Sequence, residues 1–319
     1  MRNRIDRSDR RTFTLGLAAL GAAAVLPAGA ASRRSAVPAG RIIVSGAAGH
    51  LGELAIRELI ARGIPASGLI LVSRTPDRLA SYASQGASVR FGDFTQPASL
   101  PAAFAGGRQM LLISIGFASM PRPLAHKNAI DAAKQAGVKH IAYTSWIGLA
   151  SGDRSGLGAD HYQTEETLKG SGMAWTMLRN SIYMEETLPS AEKMVRSGRA
   201  EVPAADVHIA YVAREDCAAA AAAVLTTGGH DDRAYAITGP YRVDSRAIAE
   251  AASAVTGRPI QIVPAPPAQS GRRRPYGGPA LALVSDAVAE LTGRPATSLK
   301  TFFEQHRAQL LGERAPQAT

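Results

Sequence analysis

A glycine-rich segment near the start of the chain, IIVSGAAGHLGELAI at residues 42–56, limits the fold more than any other part of the sequence. A short β-branched run stops at Gly46, and Gly49 and Gly52 follow at intervals of three residues. Gly46 permits a sharp turn, Gly49 lets the backbone approach a phosphate, and Gly52 lets the next helix lie close to the strand. Glycines alone also suit an ordinary tight turn, but a strand before them and a helix after them predict a dinucleotide site.

Short apolar runs alternate with longer amphipathic stretches as far as residue 180, which predicts an α/β fold with a doubly wound parallel sheet of the Rossmann type. The predicted strands are residues 41–45, 69–73, 88–93, 109–114, 139–145 and 174–180. The predicted helices are residues 50–63, a segment after Pro76, 126–137 and 161–172.

The pattern loosens beyond residue 180, which predicts a smaller C-terminal α/β substrate domain interleaved with the sheet. Its predicted helices are residues 214–228, 244–257, 281–292 and 297–308, and its predicted strands are 234–239 and 260–267. We therefore expect an NAD(P)-binding Rossmann domain over residues 39–185 and a smaller, partly interleaved substrate-side domain over residues 186–319.

Residues 1–38 resemble a twin-arginine signal peptide followed by a disordered linker. Arg10-Arg11 precede a weakly apolar Ala/Gly/Leu stretch, and residues 28–30, Ala-Gly-Ala, fit a cleavage site. The stretch is too short and too weakly apolar to predict stable membrane insertion. We expect export to the periplasm. The alternatives are a cytoplasmic protein with a disordered tail, or an uncleaved anchor.

Composition excludes several functional classes. Half of the formal net charge of +10 lies in residues 1–40, and no aromatic-rich basic face indicates nucleic acid binding. The single cysteine, Cys217, excludes an internal disulfide and is expected to be a small buried hydrophobe. The seven histidines show no metal-ligand spacing, so we predict no metal.

The second predicted strand ends in Ser73-Arg74, where NAD enzymes usually carry an acidic residue. A guanidinium can pair with the 2′-phosphate of NADP, whereas a carboxylate would repel it. Arg78, one turn later, is placed to assist. The sequence thus predicts NADP(H) in preference to NAD(H), with a solvated loop arginine as the alternative interpretation.

The Tyr-x-x-x-Lys pair that many short-chain dehydrogenases use is absent. None of the eight tyrosines has a lysine four residues later, and Tyr162 is followed by Glu166. A nearby carboxylate would raise the pKa of a phenol, which is the wrong direction for a tyrosine acid. We therefore assign no catalytic residue.

From residue 41 to about 260, the chain resembles the NmrA-like atypical short-chain dehydrogenases, and within them the bacterial type 2 NAD(P)H:quinone oxidoreductases. The segments that carry the resemblance are SGAAGHLG, LVSRTPDRL, LLISIG, AAKQAGVKHIAYTS, HYQTEETLKGSG, LRNSIYMEE and VAREDCAAAAAAVL. The segment at 264–283 departs from it, since it is shorter and contains GRRRPYGG.

The resemblance implies positions for the cofactor. Arg74 would hold the 2′-phosphate, and Arg214 would reach the cofactor from the second domain. The pyrophosphate would lie against Gly46, Ala47, Ala48, Gly49, His50 and Leu51. The nicotinamide ribose would lie against Ser114, Ile115 and Gly116, and the nicotinamide against Asn180, Ser181, Ile182, Tyr183, Met184 and Glu185.

The implied activity is NADPH-dependent hydride transfer to a quinone or a related conjugated carbonyl, with water supplying the proton. The partner is then a quinone-like small molecule; the alternative is a non-catalytic NADP(H) sensor of the NmrA type. Tyr143 and Tyr183 would stack on the rings or belong to the core. His161, near the expected substrate cleft, is predicted to have a helix-cap or surface role, with catalysis as the alternative. Asp93 either contacts adenine or caps a turn.

Overall fold

The computed structural model describes residues 40–116, 119–203, 206–266 and 279–313. The predicted export signal at 1–38 and the arginine cluster at 272–274 lie outside the described residues. The prediction that concerns export therefore stays a prediction.

Seven strands form one parallel sheet, and two more form a small parallel pair. The strands are β1 Arg41–Ser45, β2 Leu69–Ser73, β3 Ser88–Phe91, β4 Gly107–Leu112, β5 His140–Trp146, β6 Ala174–Asn180, β7 Arg199–Val202, β8 Arg233–Ile237 and β9 Gln261–Pro264. The order in the large sheet is β3-β2-β1-β4-β5-β6-β8, while β7 pairs with β9. The strand order reverses between β1 and β4, where ligands bind in open α/β sheets.

Helices cover both faces of the large sheet. They are α1 His50–Ala61, α2 Ala80–Ala83, α3 Leu100–Phe104, α4 Arg122–Gln135, α5 Leu157–Lys169, α6 Leu188–Ser197, α7 Arg214–Thr226, α8 Ser245–Thr256, α9 Ala287–Thr292, α10 Leu299–Gln305 and α11 Arg307–Leu310. Short 3₁₀ helices lie at Ala66–Gly68, Pro76–Leu79, Pro97–Ser99, Ile147–Ser151, Met184–Thr187 and Pro279–Ala282. The predicted α/β fold with a parallel sheet of the Rossmann type is confirmed, and the predicted division into two domains stays a prediction.

Two hydrophobic cores form on the opposite faces of the sheet. On one face, α1 and α7 pack on the central strands, and the alanines at 218–223 of α7 are all buried. On the other face, α3, α4 and α5 cover the same strands. Central strands such as β2 are buried on both sides, which explains why their sequences are apolar without alternation.

A third core joins the C-terminal helices. Leu188 and Val195 of α6 pack with Ile248 of α8 and with Phe302 and Phe303 of α10. α8 begins as predicted at Asp244, whose side chain accepts a hydrogen bond from the Ala247 amide. Residues beyond 186 also supply strand β8 of the large sheet and helix α7, which packs on that sheet.

Several elements differ from the predictions. The segment after Pro76 is a 3₁₀ turn followed by the four-residue α2, and α3, α6 and β7 were not predicted. α3 and β7 have only five and four residues, which gives little periodic signal. α6 is longer and buries Leu188, Ala191 and Val195 at helical spacing, a pattern that the sequence contains and the prediction omitted. The predicted helix at 281–292 is also shorter, since only Ala287–Thr292 is α-helical.

Within the described residues, no helix has both the length and the apolar character needed to cross a membrane. No group of three or more His, Cys, Asp or Glu side chains in the same ranges is arranged to hold a metal ion.

Candidate functional site

A cleft of about 590 Å³ opens at the carboxyl ends of β1 to β4. Four loops line it, each following one of these strands. The lining residues are Gly46, Ala48, Gly49, Ser73, Arg74, Thr75, Arg78, Gly92, Asp93, Phe94, Thr95, Ile113, Ser114, Ile115 and Gly116. The glycine turn, the arginine after β2 and the loop after β4, all predicted from the sequence, therefore meet at the point where the strand order reverses.

The glycine turn has the geometry that the sequence predicted. Gly46 has a φ of 70°, a left-handed conformation that favours glycine. A Cβ on Gly52 would lie 2.3 Å from the Gly46 carbonyl oxygen, so only glycine lets α1 pack this closely on the turn. Gly49 is the N-cap of α1 and supplies no side-chain oxygen to its first amides. An anion in the cleft would satisfy these donors, so the turn fits a pyrophosphate.

Other residues of the predicted phosphate turn contribute through the backbone. Ala47 and Leu51 have buried side chains, and the Ala47 amide donates to the Val72 carbonyl at 3.1 Å. His50 is exposed as the first residue of α1. Thus Gly46, Ala48 and Gly49 face the cleft, while Ala47 and Leu51 anchor the turn to the core.

Arg74 lies in the bend directly after β2 and is exposed in the cleft. The Ser73 hydroxyl accepts a hydrogen bond from the Thr75 amide at 3.0 Å and so shapes this bend. Arg78 lies 3.7 Å from Glu53, and its side chain is largely exposed. Both guanidinium groups therefore remain accessible to a phosphate.

Asp93 caps the turn after β3 and also lines the cleft. Its carboxylate accepts hydrogen bonds from the amide and the hydroxyl of Thr95 at 2.9 Å each. Burial works to raise the pKa of Asp93, but these bonds, one from Gln96 and the nearby charge of Arg74 hold it below its ordinary value. The turn-capping interpretation of Asp93 is confirmed, and a contact with adenine stays a prediction.

The loop after β4 is held by side chains from three other elements. The Ile113 amide donates to the Ser45 hydroxyl at 3.2 Å, and the Ser114 amide donates to the Thr144 hydroxyl at 2.8 Å. The Ile115 amide donates to Nε2 of His126 at 3.1 Å. Because these three amides are already bonded, the loop presents a fixed wall to the cleft.

Behind this loop lies a buried polar network of His126, Tyr143, His161 and Thr164. The Tyr143 hydroxyl lies 2.7 Å from Nδ1 of His161, and Nδ1 of His126 lies 3.0 Å from the Thr164 hydroxyl. Burial lowers the pKa of His126 and of His161 to about 3 each, and burial raises the pKa of Tyr143. Both imidazoles are therefore neutral at physiological pH.

Two predictions are decided by this network. Tyr143 is fully buried, so it belongs to the core and does not stack on a ring in the cleft. The helix-cap or surface role expected for His161 is wrong, because His161 is buried inside α5. The helix begins at Leu157, four residues earlier than predicted, so His161 lies one turn inside the helix and faces β5.

The inward face of α5 carries His161 and Glu165. Each precedes by one residue the pair considered in the sequence, Tyr162 and Glu166. Glu165 is 1% exposed and accepts hydrogen bonds from the Ser145 hydroxyl at 2.6 Å and from Arg179 Nη2 at 2.7 Å. By contrast, Glu166 is exposed and pairs with Lys169. The sequence signal for this face is the spacing of four residues between His161 and Glu165, which the prediction based on Tyr162 and Glu166 did not include.

Comparison with known proteins agrees with the cleft. Residues 46–228, more than half of the chain, match a family described as NAD(P)H-binding. The chain belongs to this NAD(P)H-binding family. Two observations therefore support the predicted dinucleotide cofactor: the family to which the chain belongs and the geometry of the glycine turn.

Individual relatives narrow the comparison. Quinone oxidoreductase 2 of Escherichia coli (strain K12) is 40% identical over 200 residues, which are 62% of this chain and 68% of that protein. An NmrA-like family domain-containing oxidoreductase of Aspergillus flavus is 27% identical over 282 residues, which are 85% of this chain and 90% of that protein. The crystal structure of the Citrobacter sp. triphenylmethane reductase with NADP(H) matches with a TM-score of 0.73 at 30% identity, covering 83% of this chain and 99% of that chain. The predicted resemblance to NmrA-like reductases is confirmed.

The segment after β6 does not line this cleft. Asn180 and Ser181 are 4% and 3% exposed, and the Asn180 carboxamide and the Ser181 hydroxyl have no hydrogen-bonding partner of good geometry among the described residues. The Asn180 carboxamide is still close enough to the Tyr183 hydroxyl to offset part of the rise that burial causes in the pKa of Tyr183. Unpartnered buried polar atoms fit a site that a ligand completes, and the predicted nicotinamide contact of residues 180–185 stays a prediction.

Arg214, at the start of α7, already makes contacts with neighbouring side chains. Its guanidinium lies 4.6 Å above the Tyr183 ring, and Nη2 lies 3.1 Å from Glu186. Its backbone amide donates to the Glu185 carboxylate at 3.1 Å, and the Met184 amide donates to the Val212 carbonyl at 2.8 Å. These contacts tie residues 183–186 to α7, and Arg214 is not among the residues that line the cleft.

Proposed function

We propose that this protein is an NADPH-dependent oxidoreductase that transfers hydride to a quinone or a related conjugated carbonyl. The observation that carries the proposal is the single cleft in which the glycine turn, Arg74 and the loop at 113–116 meet. The turn suits the pyrophosphate, and the fixed loop supplies a wall at the nicotinamide side.

The preference for NADPH rests on charge at the end of β2. Arg74 is exposed in the cleft, and Arg78 lies one turn further along. No acidic side chain follows Ser73 directly, so nothing at this position favours a free ribose hydroxyl over a 2′-phosphate.

The choice of acceptor rests on the chemistry that the site does not offer. When bound, the reduced nicotinamide supplies the hydride. The inward face of α5 offers a neutral imidazole and an ion-paired carboxylate, and it has no tyrosine–lysine pair. An electron-poor quinone needs no strong protein acid, because water can protonate the product, so the protein's task is positioning. The relatives agree, since one is named for quinones and another for triphenylmethane dyes.

The test is consumption of NADPH with a panel of acceptors that includes benzoquinone, a naphthoquinone and a triphenylmethane dye. We expect quinone-dependent consumption with wild-type protein, and a higher KM for NADPH in Arg74→Ala. Tight NADPH binding without turnover on any acceptor would contradict this proposal and favour a sensor.

We also propose that residues 1–38 direct export of the folded protein by the twin-arginine route. The support is Arg10-Arg11 before a weakly apolar stretch, followed by a small-residue cleavage pattern. A protein exported in the folded state can carry its cofactor with it. Replacing Arg10 and Arg11 together by lysine should retain the protein in the cytoplasm, which cell fractionation measures. Intact Met1 in the cytoplasmic fraction of wild-type cells would contradict export.

A further inference from the structure

Helix α4 contacts both walls of the cofactor cleft, although none of its residues lines the cleft. On one wall, Asn128 Nδ2 donates to the Phe94 carbonyl at 2.9 Å in the loop after β3, and it also lies 3.7 Å from the sulfur of Met120. On the other wall, His126 Nε2 accepts the Ile115 amide at 3.1 Å, and Arg122 Nε donates to the Ile115 carbonyl at 2.8 Å. One rigid helix thus bonds to both loops whose separation sets the width of the cleft.

The bond between His126 and the loop requires one tautomer. An amide can only donate, so Nε2 of His126 must carry no proton, and the proton of the neutral ring lies on Nδ1. Nδ1 faces the Thr164 hydroxyl at 3.0 Å, and that hydroxyl donates onward to the Asp160 carbonyl at 3.0 Å. Nδ1 therefore donates to the Thr164 hydroxyl, with the Tyr143 hydroxyl as a second, longer contact at 3.4 Å, and Thr164 favours the tautomer that the Ile115 amide needs.

Burial keeps this arrangement unprotonated. His126 is fully buried, and its pKa is lowered to about 3 by burial, with smaller contributions from His161 and Arg122. A charged imidazolium would direct an N–H at the Ile115 N–H and break the bond. The loop is consequently held in the same way at every pH at which the enzyme would work.

We propose that His126 and Asn128 are positioning residues, His126 for the nicotinamide-side wall and Asn128 for the adenine-side wall of the cleft. This inference rests on the proposed function. It separates two effects: loss of the His126 bond should slow hydride transfer, whereas loss of the Asn128 bond should weaken cofactor binding.

The first test compares two variants at position 126. His126→Gln keeps an oxygen that can accept the Ile115 amide, while His126→Met fills similar space without an acceptor. We expect His126→Met to lower kcat for quinone about tenfold or more, since small displacements of reacting groups are costly. The NADPH Kd, from fluorescence titration, should change less than about threefold, and His126→Gln should keep kcat within about threefold of wild type. Equal losses in the two variants, or no loss in either, would overturn the assignment of His126.

The second test concerns Asn128 and does not depend on turnover. Asn128→Leu removes the donor to Phe94 and should weaken the NADPH Kd about fivefold or more, as expected for loss of one hydrogen bond that orders a binding loop. The kcat at saturating NADPH should be unchanged. Lys127→Ala is the matched control on the same helix, because Lys127 is exposed and pairs only with Asp131 among the described residues. An Asn128→Leu variant with wild-type Kd would overturn the adenine-side role.

If thermal melting shows that His126→Met does not fold, Thr164→Val supplies the same test. Valine keeps the shape of threonine but cannot accept from Nδ1, so the tautomer bound to Ile115 keeps only the longer contact of Nδ1 with the Tyr143 hydroxyl at 3.4 Å. We expect kcat to fall more than the NADPH affinity, as for His126→Met, and unchanged kcat would overturn the proposal. Wild-type protein that binds NADPH but reduces no quinone would contradict the proposed function, and the Kd of Asn128→Leu would still test the inference about α4.

Discussion

The two ends of the predicted cofactor site are built in different ways. At the ends of β1 to β4, the site consists mainly of backbone. It comprises a glycine turn, a helix start without a side-chain cap, and a loop fixed by hydrogen bonds that three of its backbone amides donate. At the end of β6, it consists of side chains that contact one another, as Arg214 does with Tyr183 and Glu186. The first region presents free backbone donors to a ligand. In the second, the charged side chains already pair with neighbours, and among the described residues only the Asn180 carboxamide and the Ser181 hydroxyl lack a hydrogen-bonding partner there.

This difference determines which substitutions should matter most. Backbone donors and glycine clearances have no substitute, so changes there should abolish binding. Side chains that already pair with neighbours can be removed at the cost of those pairs alone. The following predictions test this contrast.

The largest effect is expected at Gly49. A Cβ at this position would lie 3.2 Å from the Gly46 carbonyl oxygen, and the branches of valine would occupy the space of the pyrophosphate. Gly49→Val should weaken NADPH binding roughly 100-fold or more, as expected for an overpacked site. Isothermal titration measures this. Gly228→Val is the control, since a Cβ there meets nothing within 4 Å. Near-normal affinity of Gly49→Val would remove the phosphate-turn interpretation.

The next effect concerns Arg74. Loss of a charge-assisted hydrogen bond costs about 1.5–3 kcal/mol, so Arg74→Ala should weaken NADPH binding tenfold or more. NADH affinity should be nearly unchanged, because NADH has no 2′-phosphate. Arg78→Ala is the matched comparison and should have a smaller effect, since Arg78 lies near Glu53. Equal losses for NADPH and NADH in Arg74→Ala would contradict the assignment.

The backbone-built region was also the part most accessible to prediction. The bounds of β1, β2 and β6 match the predicted strands. In β1 and β2 the buried run is nearly or fully continuous, whereas β6 is buried mainly at Thr176, Met177 and Leu178. The roles of Gly46 and Gly52 follow from local geometry, so the sequence contains them directly.

What the sequence did not reveal depends on packing between distant elements. His161 is buried because α5 begins at Leu157 and turns that face toward β5. His126 acquires its role from a loop eleven residues earlier and from Thr164 on another helix. The ion pair between Arg214 and Glu186 likewise forms only because the fold places the start of α7 beside the turn after β6. Apart from the four-residue spacing of His161 and Glu165, none of these contacts has a local sequence pattern.

A third prediction concerns pH and the buried histidines behind the cleft. His126 and His161 have pKa values near 3 in the folded protein against an ordinary value of 6.5. Unfolding therefore takes up protons below about pH 6.5, and stability falls as the pH drops from there toward 3. Each histidine contributes a slope of about 1.4 kcal/mol per pH unit across most of this window, and none above it. Urea unfolding at a series of pH values measures the slope. His126→Gln should lower it by the share of one histidine, and an unchanged slope would show that His126 is not neutral in the fold.

The smallest effect is expected at Arg214. It tests whether the side chains at the end of β6 keep their contacts with one another when the cofactor binds. The resemblance to NmrA-like reductases predicts that Arg214 reaches the cofactor, but its guanidinium already lies against Tyr183 and pairs with the exposed Glu186. An ion pair with the exposed Glu186 and one cation–π contact together contribute about 1 kcal/mol, so Arg214→Ala should lower stability by about that amount. NADPH affinity should change less than about threefold. Glu186→Gln is the control, since it removes the ion pair with Glu186 and keeps both the guanidinium over the ring and its longer pair with Glu185 at 3.9 Å. A tenfold loss of NADPH affinity in Arg214→Ala, with none in Glu186→Gln, would mean that Arg214 leaves these neighbours for the cofactor. The two ends of the site would then be alike in depending on the ligand.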